Sequence, residues 1–403
     1  MKNKIYLLIP LIILFHQPIF SHHGIASIGV SGLEGPGAPL ETSSSATLPE
    51  GSWLYYLKLD SVKWKRYNFY QLRTPKPEEI LIPELAETNP YQFPDQKDSY
   101  DFWMYGIGYG VKSWFSLYVF IPYYVKREIK SRIDIDPLQG HYIFTNAGFS
   151  DISFMGVLGF KYDNGFKLVP KKESLDDLMD WHFTFYGGFT LPTGNANIYD
   201  KARNPLGEFA PDMATGFGET SLTMGLTATK QFVDLPELTL LFDLNYYKFF
   251  AHTYNFYNFQ DTGTINYEGL YDPTLTALEF LYKYKEFQQS ISKKTYQFGD
   301  EVRFNLAVAY RMYKNPDSNF RADLLLETNY QHNQRDKENG KRLKTSGGKM
   351  LYGILGTRLY YKSISIGIGL KKPVWKKLNE EKDQQGGEGK ELQRLIITIS
   401  TIF

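Results

Sequence analysis

From Gly51 onward, hydrophobic and polar residues alternate with a period of two over short runs. A strand with one buried and one wet face makes this pattern, because successive side chains point to opposite sides. In 319–332, Phe320, Ala322, Leu324, Leu326, Thr328 and Tyr330 share one face. Arg321, Asp323, Glu327, Asn329 and Gln331 share the other. In 300–313, Val302, Phe304, Leu306, Val308, Tyr310 and Met312 oppose Arg303, Asn305, Ala307, Ala309 and Arg311. In 363–374, Ile364, Ile366, Ile368 and Leu370 oppose Ser363, Ser365, Gly367 and Gly369. Twelve such runs are predicted: 52–63, 99–110, 114–126, 149–161, 181–191, 218–231, 237–250, 300–313, 319–332, 349–361, 363–374 and 392–403. Ten and fourteen are the neighbouring even counts left open.

The connections follow a parity. After even-numbered runs they are mostly short: Val111-Lys112-Ser113, Val233 to Pro236, Lys314 to Ser318, and Lys362. After odd-numbered runs they are long: 64–98, 127–148, 192–217, 251–299, 333–348 and 375–391. Outer-membrane barrels keep short turns on the periplasmic side and long loops outside. The long connection 162–180 breaks the parity; a short helix is one expectation for it. The predicted fold is an all-β, antiparallel, up-and-down transmembrane barrel over 51–403. Its last run ends on Phe403. Leu395, Ile397 and Ile399 should face lipid, with Arg394 and Thr398 inward. Phe403 should then meet 52–63 to close the cylinder, and with that face of the strand it reads as the assembly signal.

The other features adjust this picture. Residues 1–21 read as a secretory signal peptide: Lys2 and Lys4 precede the apolar run Ile5 to Phe15, with cleavage expected near Ser21. That run is too short for a membrane helix, which needs about 20 apolar residues. Residues 22–50 are rich in Gly, Ser and Pro and cannot build a core. They read as a loose periplasmic tail; the alternative is a plug entering the lumen. Tyr 31 and Phe 29 bring the aromatic share to 16%, which fits girdles at two membrane interfaces. Mean hydropathy is −0.36, which argues against a helical membrane protein. A formal net charge of +1 argues against nucleic acid as a partner. The absence of cysteine excludes disulfides and thiolate metal sites.

Candidate chemistry is sparse. Alternation sends His182, Asp243, Arg303, Arg311, Arg321, Asp323, Glu327, Arg358 and Arg394 to the lumen. A Lys or Arg facing lipid at mid-bilayer would cost about 2–4 kcal/mol. These groups are either a paired network that fills the barrel or a polar constriction. His22 and His23 could hold Cu²⁺ or Ni²⁺ with a free amino terminus, which suits nitrogen ligands; the plainer reading is two exposed histidines. Gly106, Gly108 and Gly110 lie within a strand with no helix after them, so they are read as space-making lumen positions, not a phosphate cradle. No G-x-S-x-G elbow is present, and no enzyme activity or cofactor is expected. Aromatic residues from Tyr246 to Phe259 crowd one strand end, as a girdle or as an entrance for apolar solutes.

Three stretches carry a family resemblance. They are Tyr109 to Tyr123, the run Gly188-Phe189-Thr190-Leu191-Pro192-Thr193-Gly194, and Ala214 to Ser221. Together they resemble the outer-membrane transporter family named for the meta-pathway of phenol degradation. The resemblance implies a barrel that moves small, often aromatic molecules, with no catalytic residues to carry over. The long 251–299 and 162–180 connections depart from it. The expected partners are outer-membrane lipid, the barrel-assembly machinery and a small solute. The rival expectations are an adhesin using its outer loops, and an accessory to metal efflux using the His22–His23 terminus.

Overall fold

The computed structural model describes residues 36–64, 96–131, 141–171, 174, 177–196, 211–257, 291–344, 346–379 and 391–403. Twelve antiparallel wall strands close into a barrel. They are β1 (Trp53–Trp64), β2 (Gln96–Lys112), β3 (Phe115–Ser131) and β4, which comes in two pieces, His141–Phe149 and Ile152–Tyr162. Next are β5 (Trp181–Leu191), β6 (Ser221–Phe232), β7 (Leu235–Phe249) and β8 (Glu301–Asn315). The ring is completed by β9 (Phe320–Asn333), β10 (Gly348–Tyr361), β11 (Ile364–Leu378) and β12 (Glu391–Ile402).

Each strand has the burial that its alternation dictates. In β12, Leu395 and Ile399 are exposed and Ile397 half-buried, while Arg394, Ile396, Thr398 and Ser400 are buried. The barrel closes where β12 runs beside β1, with Ile399 opposite Leu57 and Ile397 opposite Leu59. Trp53 and Phe403 exchange backbone hydrogen bonds of 2.9 and 3.0 Å. The Phe403 ring stacks on Tyr55 with centroids 5.2 Å apart. An up-and-down barrel thereby leaves no free edge.

Three elements differ from the reading of the sequence. First, β4 starts earlier, at His141, and breaks at Ser150-Asp151. There the Asp151 carboxylate accepts from the backbone N–H groups of Gly194 and Phe217, both at 2.7 Å. Second, 162–180 holds no α-helix among its described residues. It folds as a tongue: a short strand, Phe166–Leu168, pairs back onto β4, and a 3₁₀ turn spans Asp177–Met179. Third, 251–299 contributes strands. His252–Tyr257 and Ile291–Gln297 pair with each other and continue into Lys337–Glu338 and Lys341–Arg342. This small sheet stands at the long-loop end, where Phe249, Phe298 and Tyr247 pack with Phe217 and Tyr296.

Candidate functional site

The lumen holds the chain's own Gly/Ser/Pro-rich segment. Of the two placements open for 22–50, residues 36–48 lie inside the barrel, with Pro49 and Glu50 exposed at its mouth; residues 22–35, with His22 and His23, fall outside the described residues. The segment is a hairpin entering from the short-turn end. Gly37 N–H donates to Thr239 Oγ1 at 3.0 Å and Ala38 N–H to Tyr360 at 3.0 Å, both near that end. The apex, Leu40 to Ser43, lies deeper. Ser45 then bonds Thr229 at 3.0 Å, and Leu48 N–H reaches Ser116 Oγ at 2.9 Å on the way back out.

Side chains from distant strands hold the apex. Glu327 accepts from the N–H groups of Leu40, Glu41 and Thr42 at 2.6, 3.1 and 2.8 Å, and from the Thr42 hydroxyl at 2.8 Å. Arg358 donates to the carbonyls of Ala38 and Pro39 at 2.7 and 2.8 Å. Buried backbone polar groups need partners, and a segment without secondary structure must take them from side chains. Glu41 itself pairs with Lys58 and, at 3.0 Å, with Lys371. Lys58 also meets Asp60 at 3.2 Å, and Arg394 meets Glu391 at 3.1 Å.

Shape matches as well as charge. A Cβ on Gly356, Gly367 or Gly369 would come within 2.5, 2.5 and 2.2 Å of the Leu40 side chain. These three inward positions form a socket for Leu40. A Cβ on Gly108 would lie 3.0 Å from Leu48, and one on Gly110 would meet Pro49 O at 2.0 Å. Gly106 faces Phe120 in the same way. The glycines of the G-x-G-x-G run make room for inward side chains and for the hairpin.

Seven of the nine charged candidates fall in three settings within the lumen. Glu327 and Arg358 bind the hairpin backbone. Asp243 accepts from Tyr186, Asn245 and Asn305 at 2.9, 3.0 and 2.8 Å, and from Ser43 N–H at 3.4 Å. The rest pair along the wall: Arg321 with Asp323 at 2.7 and 2.6 Å, Arg303 with Glu301, and Arg394 with Glu391 and Asp60. Arg311 is buried on the same face of β8, nearer the short-turn end. His182 is half-exposed at that end, donating from Nδ1 to the Asp180 carbonyl at 3.2 Å; it is apart from the apex cluster. The network has members that the residue-by-residue reading passed over: Glu41, Lys58, Asp60, Lys371 and Glu391. Parity alone would have found Lys58 and Asp60, which follow Leu54 and Tyr56 on one face of β1. Glu41 carried no such signal.

The opposite sector of the lumen is aromatic. Tyr56, Tyr100, Phe102, Tyr118, Phe120, Tyr124 and Tyr186 cluster on the inner faces of β1, β2, β3 and β5, with Leu48 of the hairpin among them. A cavity of about 40 Å³ remains beside Phe102, Met104, Phe120, Tyr124, Met155 and Tyr247. It can hold water but not an aromatic ring; a dry cavity that binds benzene is nearer 150 Å³. On the long-loop side, Met213, Ala214 and Thr215 are buried. Lys126 bonds the Ala214 carbonyl and Asn146 the Met213 carbonyl, the latter at 2.6 Å. Among the described residues, the lumen is thus narrowed by the hairpin from the short-turn end and by 213–215 from the other.

No protein-family model matches the chain, and no curated protein matches it. Solved structures do. The COG4313 outer membrane channel from Pseudomonas putida F1 aligns over 89% of this chain and 98% of its own, at 9% identity and a TM-score of 0.53. That likeness establishes the fold, a transmembrane β-barrel of the outer-membrane type. The TodX deltaS2S3 mutant monoaromatic hydrocarbon channel aligns over 94% and 98% of the two chains, at 9% identity and a TM-score of 0.39. A Pseudomonas aeruginosa FadL homologue aligns over 96% and 99%, at 11% identity and 0.37. At these two scores the likeness carries no argument.

Proposed function

We propose that the protein is an outer-membrane channel that passes small apolar or aromatic solutes by diffusion, and that the 36–50 hairpin is its plug. The observation that carries this is the divided lumen. One sector is lined by aromatic side chains, and the remaining space is taken by a segment that no regular structure anchors. Apolar solutes favour aromatic walls with few polar groups. Twelve strands lie between the eight that fill with side chains and the sixteen that leave an open channel. Such a lumen conducts only when its filling moves. The resemblance to the phenol meta-pathway family supports the same solute class. The Pseudomonas putida outer membrane channel, which shares the fold, is compatible with a channel role.

The test is conductance in planar bilayers and solute uptake by liposomes, for the full chain and for a variant lacking 36–47. The full chain should conduct weakly and the deletion strongly, with phenol entering faster than a sugar of similar mass. Closed behaviour in both proteins, with no phenol uptake, would sink the reading.

A further inference from the structure

The outer wall carries a second site, apart from the lumen. Register puts His332, Lys349 and Lys377 side by side in one row across β9, β10 and β11. Trp375 lies in the next row down, and Lys372, opposite Gly353, in the row below it. Beneath them Leu326, Leu355 and Leu370 form an aliphatic row, with Leu326 57% and Leu355 60% exposed. The cations sit directly above a lipid-facing surface.

This arrangement is unfavourable for the bare protein. Residues directly opposite in antiparallel strands have Cβ atoms about 4.5–5.5 Å apart, and like charges there repel. Lys349 and Lys377 are such a pair. Among the described residues, Lys349, Lys372 and Lys377 make no ion pair. Elsewhere at the long-loop end the chain neutralises its cations: Lys248 on β7 has Asp300 at 2.8 Å. No carboxylate among the described residues pairs with these three, and an anion from outside the chain fits beside them.

Height above the membrane says which one. Phe320 and His332 mark the two ends of β9's outer face. At about 3.3 Å per residue and a tilt near 40°, the row of His332 rises about 30 Å above Phe320. The apolar band of such barrels is about 25 Å tall. The cationic row therefore lies in the headgroup layer on the long-loop side, which is the outer leaflet. Lys372, two rows lower, can snorkel its ammonium up to the same layer along its own methylenes.

We propose that this face binds the phosphorylated sugar headgroup of an outer-leaflet glycolipid of the lipid A type. Lys349 and Lys377 share one phosphate, and Lys372 reaches a second. Trp375 lies at the sugar level, and the leucine row receives the acyl chains. The site is independent of whether the lumen conducts.

The test titrates the purified chain in detergent with bisphosphorylated lipid A, its dephosphorylated form and phosphatidylglycerol. The readout is native mass spectrometry, together with the temperature at which the folded gel band is lost. Bisphosphorylated lipid A should bind at least fivefold more tightly than either comparator and should raise that temperature. The triple variant Lys349→Gln/Lys372→Gln/Lys377→Gln should lose at least tenfold in affinity. The control triple at the other end, Lys112→Gln/Lys167→Gln/Lys171→Gln, should not. Equal binding by the wall variant overturns the site. Equal binding of phosphatidylglycerol or of the dephosphorylated form by the unmodified chain overturns the ligand. That comparison needs no variant, and Lys372→Gln alone repeats the test should the triple fail to fold.

Discussion

Glu327 does the work of a regular secondary structure for the hairpin apex. It accepts four hydrogen bonds from Leu40, Glu41 and Thr42. Bonds to a charged acceptor contribute about 1.5–3 kcal/mol each. Glu327→Gln keeps the size, removes the charge and turns one acceptor oxygen into a donor facing N–H groups. The hairpin should then leave its seat in a sizeable fraction of molecules. The chain has no cysteine, so Ser43→Cys supplies a single thiol for maleimide. Labelling should be slow alone and at least tenfold faster with Glu327→Gln; equal rates would remove Glu327 from the latch. Steric evidence should agree. A Cβ on Gly369 would stand 2.2 Å from Leu40 Cδ1, so Gly369→Ala should raise bilayer conductance, and adding Leu40→Ala should bring it back towards the resting level. Conductance that Leu40→Ala fails to lower would mean that Gly369 is needed for the wall alone.

Among the elements, the wall strands were legible because each has one face against lipid and one against the lumen, and two environments imprint a period of two. In β9, Arg321, Asp323 and Glu327 could only point inward. The hairpin was not legible for the opposite reason. Gly, Ser and Pro carry no period, and its position is set by partners such as Glu327 and Arg358, about 290 to 320 residues away. The break in β4 was hidden because Thr145, Asn146 and Ala147 give no clear alternation, and because Asp151 works through the backbone of two later loops. The tongue at the short-turn end is a latch of the same indirect kind. Ser113 Oγ donates to the Val169 carbonyl at 2.8 Å, while Thr47 of the hairpin bonds Ser113 O. At its base, the hydrogen bond from Lys161, then those from the Ser174 N–H and hydroxyl, hold the Asp177 carboxyl down at about 2. A depressed carboxylate pKa adds stability above the unfolded value, near 3.9, that is lost as pH falls towards 2. The tongue should stay latched from neutrality down to about pH 4 and loosen below that. Asp177→Asn should loosen it at every pH, seen as faster trypsin cleavage after Lys171; cleavage unchanged at neutral pH would deny the latch.

For the whole molecule, closure is the step that joins the first and last wall strands. β1 and β12 are neighbours only in the finished cylinder, so their pairing has the longest sequence separation in the wall and the largest loop to close. Phe403 takes part directly, through two backbone bonds to Trp53 and its ring on Tyr55. Such an aromatic pair is worth about 0.5–1.5 kcal/mol beyond its buried area. Phe403→Ala should therefore cost little once the barrel exists, lowering the unfolding temperature of the gel band by a few degrees. If Phe403 is also what the assembly machinery reads, the same substitution should cut the amount of folded protein in the outer membrane several-fold, well beyond that small loss. Phe403→Tyr keeps the ring and should restore both measurements. A folded yield that follows stability in both variants would reduce Phe403 to a structural residue.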